Sequence, residues 1–274
     1  MFRLITIHPL FWMTIGLSLL TGRFREMLLL FAVVLIHEVG HASAARYFGW
    51  RVNEIILLPF GGVAVVDEHG NRPLKEELVV ILAGPAQHIW MMGIGTLFHY
   101  MGLWHEMYEL FMLHNMMVLL FNLLPIWPLD GGKLLFLLYT SIYPFKAAHR
   151  TMIRSSLFFL LLLIILTASA FPLHLNLWMV ILFLCVAHFK EWRHHQYIYL
   201  RFLLERYSKK YRGSNQVLSV MPEMKLNDIL ATFSRGKHYQ IFIQNLNVET
   251  DEHELLEAYF KKNQIGCAVG SLFR

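Results

Sequence analysis

FAVVLIHEVGHASAA, residues 31–45, decides how the rest of the chain is read. An apolar run leads without a break into His37, Glu38 and His41. On a helix, positions i and i+4 share a face, so the two imidazoles can grasp one metal ion while Glu38 reaches the water beside it. Bound zinc acidifies its water and polarises a carbonyl, and a neighbouring carboxylate takes the proton as attack proceeds. The motif alone has an appreciable chance background in a chain with 15 His. Its position at the end of an apolar helix weighs against chance, because two His and a Glu are costly to keep there and such groups are functional by default. The bland alternative is three hydrated groups idling at the membrane interface. Gly40, Ala42, Ala44 and Ala45 keep this helix slim, so that neighbours can pack closely.

The whole chain agrees with a membrane setting. Of its 274 residues, 56% are hydrophobic and 16% charged, and the mean hydropathy is +0.47. A net charge of +5 raises nucleic acid as a partner, but the basic residues gather at the ends of apolar runs, where lipid headgroups and membrane orientation account for them. Membrane lipids are therefore expected as partners, and no direct nucleic acid. The only cysteines, Cys185 and Cys267, exclude a disulfide framework. Gly22-Arg23-Phe24-Arg25 does not resemble a processing site, so Leu4 to Thr21 reads as a retained span.

Apolar runs of membrane-crossing length occupy 4–21, 27–45, 78–99, 110–128 and 155–173, with a shorter one at 175–189. They predict a polytopic α-helical membrane protein of about six transmembrane helices. Five is the competitor, with the last run partly in the interface. Basic residues crowd the second connection (Arg46, Arg51, Arg72, Lys75), the fourth (Lys146, Arg150, Arg154) and the tail, which puts both termini in the cytoplasm; Arg23 and Arg25 dissent. VNEIILLPFGGVAVV at 52–66, β-branched and interrupted by Pro59, Gly61 and Gly62, predicts two short strands joined by a turn. Such a hairpin either dips into the membrane against the helix bundle, with an edge open to an extended peptide, or stays a simple cytoplasmic hairpin. These features divide the chain into a membrane domain at 1–190, an amphipathic juxtamembrane linker at 191–213 and a small soluble α/β domain at 214–274, with helices at Leu226–Phe233 and Glu252–Phe260 and a strand at Tyr239–Ile243. So short a tail has a marginal core alone and is expected to rest on the membrane domain or on a second copy.

Two His ligands leave zinc in want of a third, for which His88, His114, Asn122 and Asp130 are candidates. A continuous helix from 114 to 130 would be roughly 24 Å long, and only Asp130 falls at the membrane depth of His37 and His41. Pro125 and Pro128 interrupt the helix before Asp130, and Gly131-Gly132 lets the chain turn tightly there. Asn122 could orient the water, or donate to the oxyanion or the substrate backbone. His88, which follows Ala83-Gly84-Pro85, reads as a hydrogen-bonding residue, His114 as packing, and Met91, Met92, Met116 and Met117 as lipid-facing or bundle packing.

HEVGH at 37–41, LAGP at 82–85 and NLLPIWPLDGG at 122–132 resemble the three signature regions of the site-2 protease family, M50, of intramembrane zinc metalloproteases. The resemblance covers about residues 5 to 190. It implies peptide-bond hydrolysis at a membrane-associated substrate, with His37, His41 and Asp130 as zinc ligands, Glu38 as catalytic base, Asn122 as the active-site asparagine and the hairpin as a substrate-holding loop. Family members often carry Asn where His88 stands here. The tail, from HHQYIYLRFLLERY at 194–207 through 217–243, is similar to a sporulation branch of the family in endospore-forming bacilli. That similarity implies a single CBS-type domain that takes ATP or another adenine nucleotide and self-associates into a homo-oligomer. It also implies membrane regulatory proteins, a sigma-factor precursor as substrate, losing its inhibitory N-terminal segment, and residence in the mother-cell membrane around the forespore. A polytopic metal transporter would share the spans but would not need Glu38 between two His. A catalytically inactive binder is opposed only by the presence of every expected group.

Overall fold

The computed structural model describes residues 5–7, 9–58, 61–66, 71–209, 214–244, 246, 248–262, 264 and 266–273. The chain divides into two compact units. The first takes Met1–Glu68, Lys75–Leu134 and Phe159–Leu184; the second takes His69–Leu74, Leu135–Phe158 and Cys185–Arg274.

In chain order the first seven helices of the described residues are α1 (Pro9–Leu20), α2 (Phe24–Tyr47), α3 (Leu74–Tyr100), α4 (His105–Asn122), α5 (Asp130–Ile142), α6 (Phe145–Ala170) and α7 (Leu175–Lys209). Among the described residues, four helical stretches are long and apolar enough to cross a bilayer: Phe24–Tyr47, Leu74–Tyr100, Phe145–Ala170 and Leu175–Ser208. The first apolar run does not begin as a span. Ile5–Ile7 forms a strand, β1, and α1 is only 12 residues long. The cause is local: Ile-Thr-Ile favours extended backbone, and Pro9 sits at the first helical position, where its missing N–H costs nothing. The run at 110–128 divides as expected, with α4 ending at Asn122 and α5 starting at Asp130 across a segment holding Pro125 and Pro128. Glycine ends α2: Gly49 takes φ +71, and the Trp50 N–H returns to the Ala45 carbonyl at 2.9 Å.

Residues 52–66 form the two expected strands, β2 (Val52–Leu58) and β3 (Gly61–Val66), paired antiparallel. The turn expected at Pro59 lies outside the described residues. β1 adds a third strand, parallel to β2, giving the order β1-β2-β3, and Thr6 Oγ1 donates to Glu54 Oε2 at 2.6 Å. Tight packing of α2 on α3 depends on Gly40, whose Cβ, if it had one, would stand 2.6 Å from the Ala83 carbonyl oxygen.

In the second unit α7 continues unbroken through the expected linker as far as Lys209, so residues 191–209 are helix; residues 210–213 lie outside the description. The tail holds β4 (Ser214–Val220), α8 (Leu226–Leu230), β5 (Lys237–Ile243), β6 (Val248–Asp251) and α9 (Glu252–Phe260). β5 is central, parallel to β4 and antiparallel to β6. The tail core of Leu226, Ile229, Leu230, Phe233, Ile241, Ile243, Leu255 and Leu256 is continuous with Phe145, Tyr199, Phe202 and Leu203. Phe145 and Phe202 stack with centroids 4.1 Å apart. Arg206, fully buried, pairs with Glu252 at 2.7 Å and donates to the Ser234 carbonyl at 2.9 Å. In the same unit Asn71 donates to the Phe202 carbonyl and to Glu205, and Arg235 donates to the Arg72 carbonyl at 3.1 Å.

Candidate metal centre

The centre is assembled wholly within the first unit. α2 carries His37 and His41 one helical turn apart, and their rings meet edge to face with centroids 4.7 Å apart. Asp130, the first residue of α5, brings Oδ2 to 3.1 Å from His37 Nε2 and 3.0 Å from His41 Nε2, while the two Nε2 atoms stand 3.0 Å apart. All three residues are buried. Three N or O ligands about 2.0–2.1 Å from a tetrahedral zinc lie about 3.3 Å from one another, so the triangle has the size a zinc ion requires.

The polarity of the site also fits a cation. His41 Nδ1 lies 2.8 Å from the Val80 carbonyl oxygen and must donate to it. In the neutral ring Nε2 then carries a lone pair, directed at the Asp130 carboxylate and at His37. A proton on Nε2 would satisfy one of these neighbours, whereas one metal ion satisfies all three atoms. Lys133 Nζ, one turn along α5, donates to Asp130 Oδ1 at 3.0 Å and leaves Oδ2 for the centre.

Three glycines make room for this geometry. A Cβ on Gly84 of α3 would overlap His41 Nε2 and Cε1, and would lie 2.8 Å from His37 Cε1. A Cβ on Gly62 of β3 would overlap Glu38 Cγ and stand 3.0 Å from its Oε1. The hairpin thus touches the Glu38 carboxylate through bare backbone. Gly131 follows Asp130, and a Cβ there would overlap the Leu123 and Leu124 carbonyl oxygens. The requirement at Gly131 is close backbone approach: its φ is not in the left-handed region, so the tight-turn reason expected from sequence is replaced by a steric one.

Of the four sequence candidates for the third ligand, only Asp130 joins the two imidazoles. His114 Nδ1 bonds the Leu110 carbonyl within its own helix at 2.7 Å. Asn122 Nδ2 donates to the Val118 carbonyl at 3.0 Å, again within its helix. His88 is a hydrogen-bonding residue, as read: its Nε2 lies 3.1 Å from His37 Nδ1 and its Nδ1 2.9 Å from Asn115 Oδ1. Sequence reasoning missed Asn115 and Lys133. An amide inside an apolar helix was the available signal for the first, and i, i+3 spacing from Asp130 for the second.

The chain matches the family model of peptidase family M50 over residues 26–102 and 91–164. It is 44% identical over 274 residues to stage IV sporulation protein FB of Bacillus subtilis, covering 98% of this chain and 95% of that one. It is 27% identical over 232 residues to a zinc metalloprotease of Methanocaldococcus jannaschii, covering 82% of this chain and 66% of that one. Among solved structures, the site-2 protease from Methanocaldococcus jannaschii superposes with a TM-score of 0.55 at 27% identity, over 68% of this chain and 89% of that one. Similarity this high along nearly the whole length, with a family match that takes in both ligand-bearing segments, makes the chain a member of peptidase family M50, a bacterial multi-pass membrane enzyme with the activity of a zinc-dependent intramembrane endopeptidase of the site-2 type.

Proposed function

We propose that the enzyme cuts a membrane-associated segment of a sporulation sigma-factor precursor and removes its inhibitory N-terminal part. One observation carries the chemical half of this reading: Glu38 lies between the ligand-bearing turn of α2 and the bare backbone of Gly62, where it can serve a peptide held along β3. The sporulation half draws on the full-length similarity to stage IV sporulation protein FB.

In this reading His37, His41 and Asp130 hold zinc. When bound, zinc supplies Lewis acidity toward the scissile carbonyl and an acidified water. Glu38 takes the proton of the attacking water and passes it to the leaving amine. Asn122 keeps a second amide hydrogen beyond the one given to Val118, and offers it to the oxyanion or the substrate backbone. The edge of β3 accepts the substrate as an added strand.

The wider reading has six crossings with both termini in the cytoplasm. Residues 1–190 form the protease domain, 191–213 the juxtamembrane linker, and 214–274 a single CBS-type domain that binds an adenine nucleotide and pairs with a second copy. The enzyme resides in the mother-cell membrane around the forespore under the control of membrane regulatory proteins. The deciding experiment co-expresses wild type or Glu38→Gln with the precursor, and measures precursor length and zinc content. Shortening by wild type alone, with zinc retained in Glu38→Gln, supports the proposal. Zinc bound by wild type without shortening rejects this precursor as the substrate, and equal shortening by both rejects Glu38 as the base. A nucleotide titration of the full chain tests the tail.

A further inference from the structure

The two imidazoles of the centre are held in different ways. His41 Nδ1 meets a backbone carbonyl directly, whereas His37 Nδ1 meets a side chain, His88, which in turn meets Asn115. We propose that His88 and Asn115 are positioning residues which fix the tautomer and ring plane of His37 through a one-way chain of hydrogen bonds starting at the Phe111 carbonyl. The inference rests on the reading of His37 as a zinc ligand.

The direction of the chain follows from its fixed end. The Phe111 carbonyl can only accept, and the Asn115 amide lies 3.2 Å from it, one turn along α4. Asn115 therefore turns Nδ2 to its own helix and Oδ1 toward α3. Oδ1 can only accept, so His88 Nδ1, 2.9 Å away, carries the proton. A neutral imidazole protonated on Nδ1 has its lone pair on Nε2, so His88 accepts from His37 Nδ1–H at 3.1 Å. His37 is left with its Nε2 lone pair facing His41 Nε2 and Asp130 Oδ2. Reversing any link sets lone pair against lone pair or hydrogen against hydrogen.

The chain is closed to bulk solvent, since His88 and Asn115 are 0% exposed. Three helices take part: α2 supplies the ligand, α3 the relay and α4 the fixed end. Hydrogen-bond partners of metal-bound imidazoles orient the ring and raise ligand basicity, and their loss costs about 10–100-fold in metal affinity. Glutamine at position 88 would keep both polarities, because Oε1 accepts from His37 while Nε2 donates to Asn115. Leucine keeps neither.

The test measures zinc dissociation by chelator competition, and the visible spectrum with Co2+, on the full chain in detergent. His88→Leu is expected to weaken zinc binding by about 10–100-fold and to shift the cobalt bands, and His88→Gln to restore both toward wild type. Asn115→Leu is expected to weaken zinc binding in the wild-type background and to add nothing in the His88→Leu background, because it acts only through His88. A purely packing role predicts additive losses and no rescue by Gln. Zinc binding by His88→Leu within about twofold of wild type, or a His88→Gln protein as weak as His88→Leu, overturns the relay. If His88→Leu does not accumulate as folded protein, His88→Gln and Asn115→Leu decide alone: tight binding by the first and weak binding by the second support the relay, and any other pair rejects it. His37→Ala and Asp130→Ala serve as controls. Normal zinc in these would sink the ligand assignment, whereas zinc lost in them but kept in the His88 and Asn115 variants sinks the relay only.

Discussion

Glu38 has helix behind it and strand in front, and the strand side has no side chain to spare. A methyl group at Gly62 would occupy the space of Glu38 Cγ, so Gly62→Ala must move either the carboxylate or β3. Cleavage is expected to fall by about tenfold or more, the scale on which a displaced catalytic group costs rate, with zinc content unchanged; parallel activity and metal measurements check this. Gly84→Ala makes the opposite split. Its Cβ would overlap His41 Nε2, the metal-facing atom, so zinc itself is expected to be lost, and metal analysis of the purified variant decides. These residue-scale roles were only half visible in the sequence. His37, Glu38 and His41 share one helical turn, so their spacing exposes them. Asp130 was reached through membrane depth. Asn115 and the demand at Gly62 arise only when α4 packs near α3 and β3 on α2, and no local spacing encodes such contacts.

Among the elements, α5 has the strictest start. Its first residue supplies Asp130, and the next lies so close to the preceding turn that a Cβ on Gly131 would overlap the Leu123 and Leu124 carbonyl oxygens. Gly131→Ala is expected to cost about 1–3 kcal/mol by overpacking and to weaken zinc binding by displacing the start of α5; thermal melts with and without metal separate the two effects. Prolines made the break before α5 legible, and β-branched residues did the same for β2 and β3. β1 was absorbed into an apolar run because Ile5–Ile7 looks the same to hydropathy whether helical or extended. β4, with its largely exposed pattern, has little alternation to announce it, and β6 is only 4 residues long.

At the scale of the molecule, the tail does not close its own core. Phe145, Tyr199, Phe202 and Leu203 complete it from outside residues 214–274, and Arg206 of α7 neutralises the buried Glu252 of α9. Residues 214–274 alone are therefore expected to melt without a cooperative transition, as followed by circular dichroism. In the full chain Arg206→Met should cost about 3–5 kcal/mol by leaving Glu252 without its counter-charge. Adding Glu252→Gln should recover part of that loss in denaturant titrations. The change from apolar runs to an ordinary mixed sequence near residue 214 was readable from composition. The sharing of the tail core was not, because Phe145 and Phe202 are ordinary apolar residues until their partners are known. The order β1-β2-β3 also constrains what the enzyme can select. With β2 flanked on both sides, a substrate strand can lengthen the sheet on the hairpin side only by lying along β3, and strands present alternate residues to alternate faces. If substrate docks on β3 as proposed, selection acquires a reading frame: a substrate slipped by two residues offers the same face to Glu38, one slipped by a single residue offers the wrong one, and cleavage positions in register-shifted substrates should cluster in steps of two.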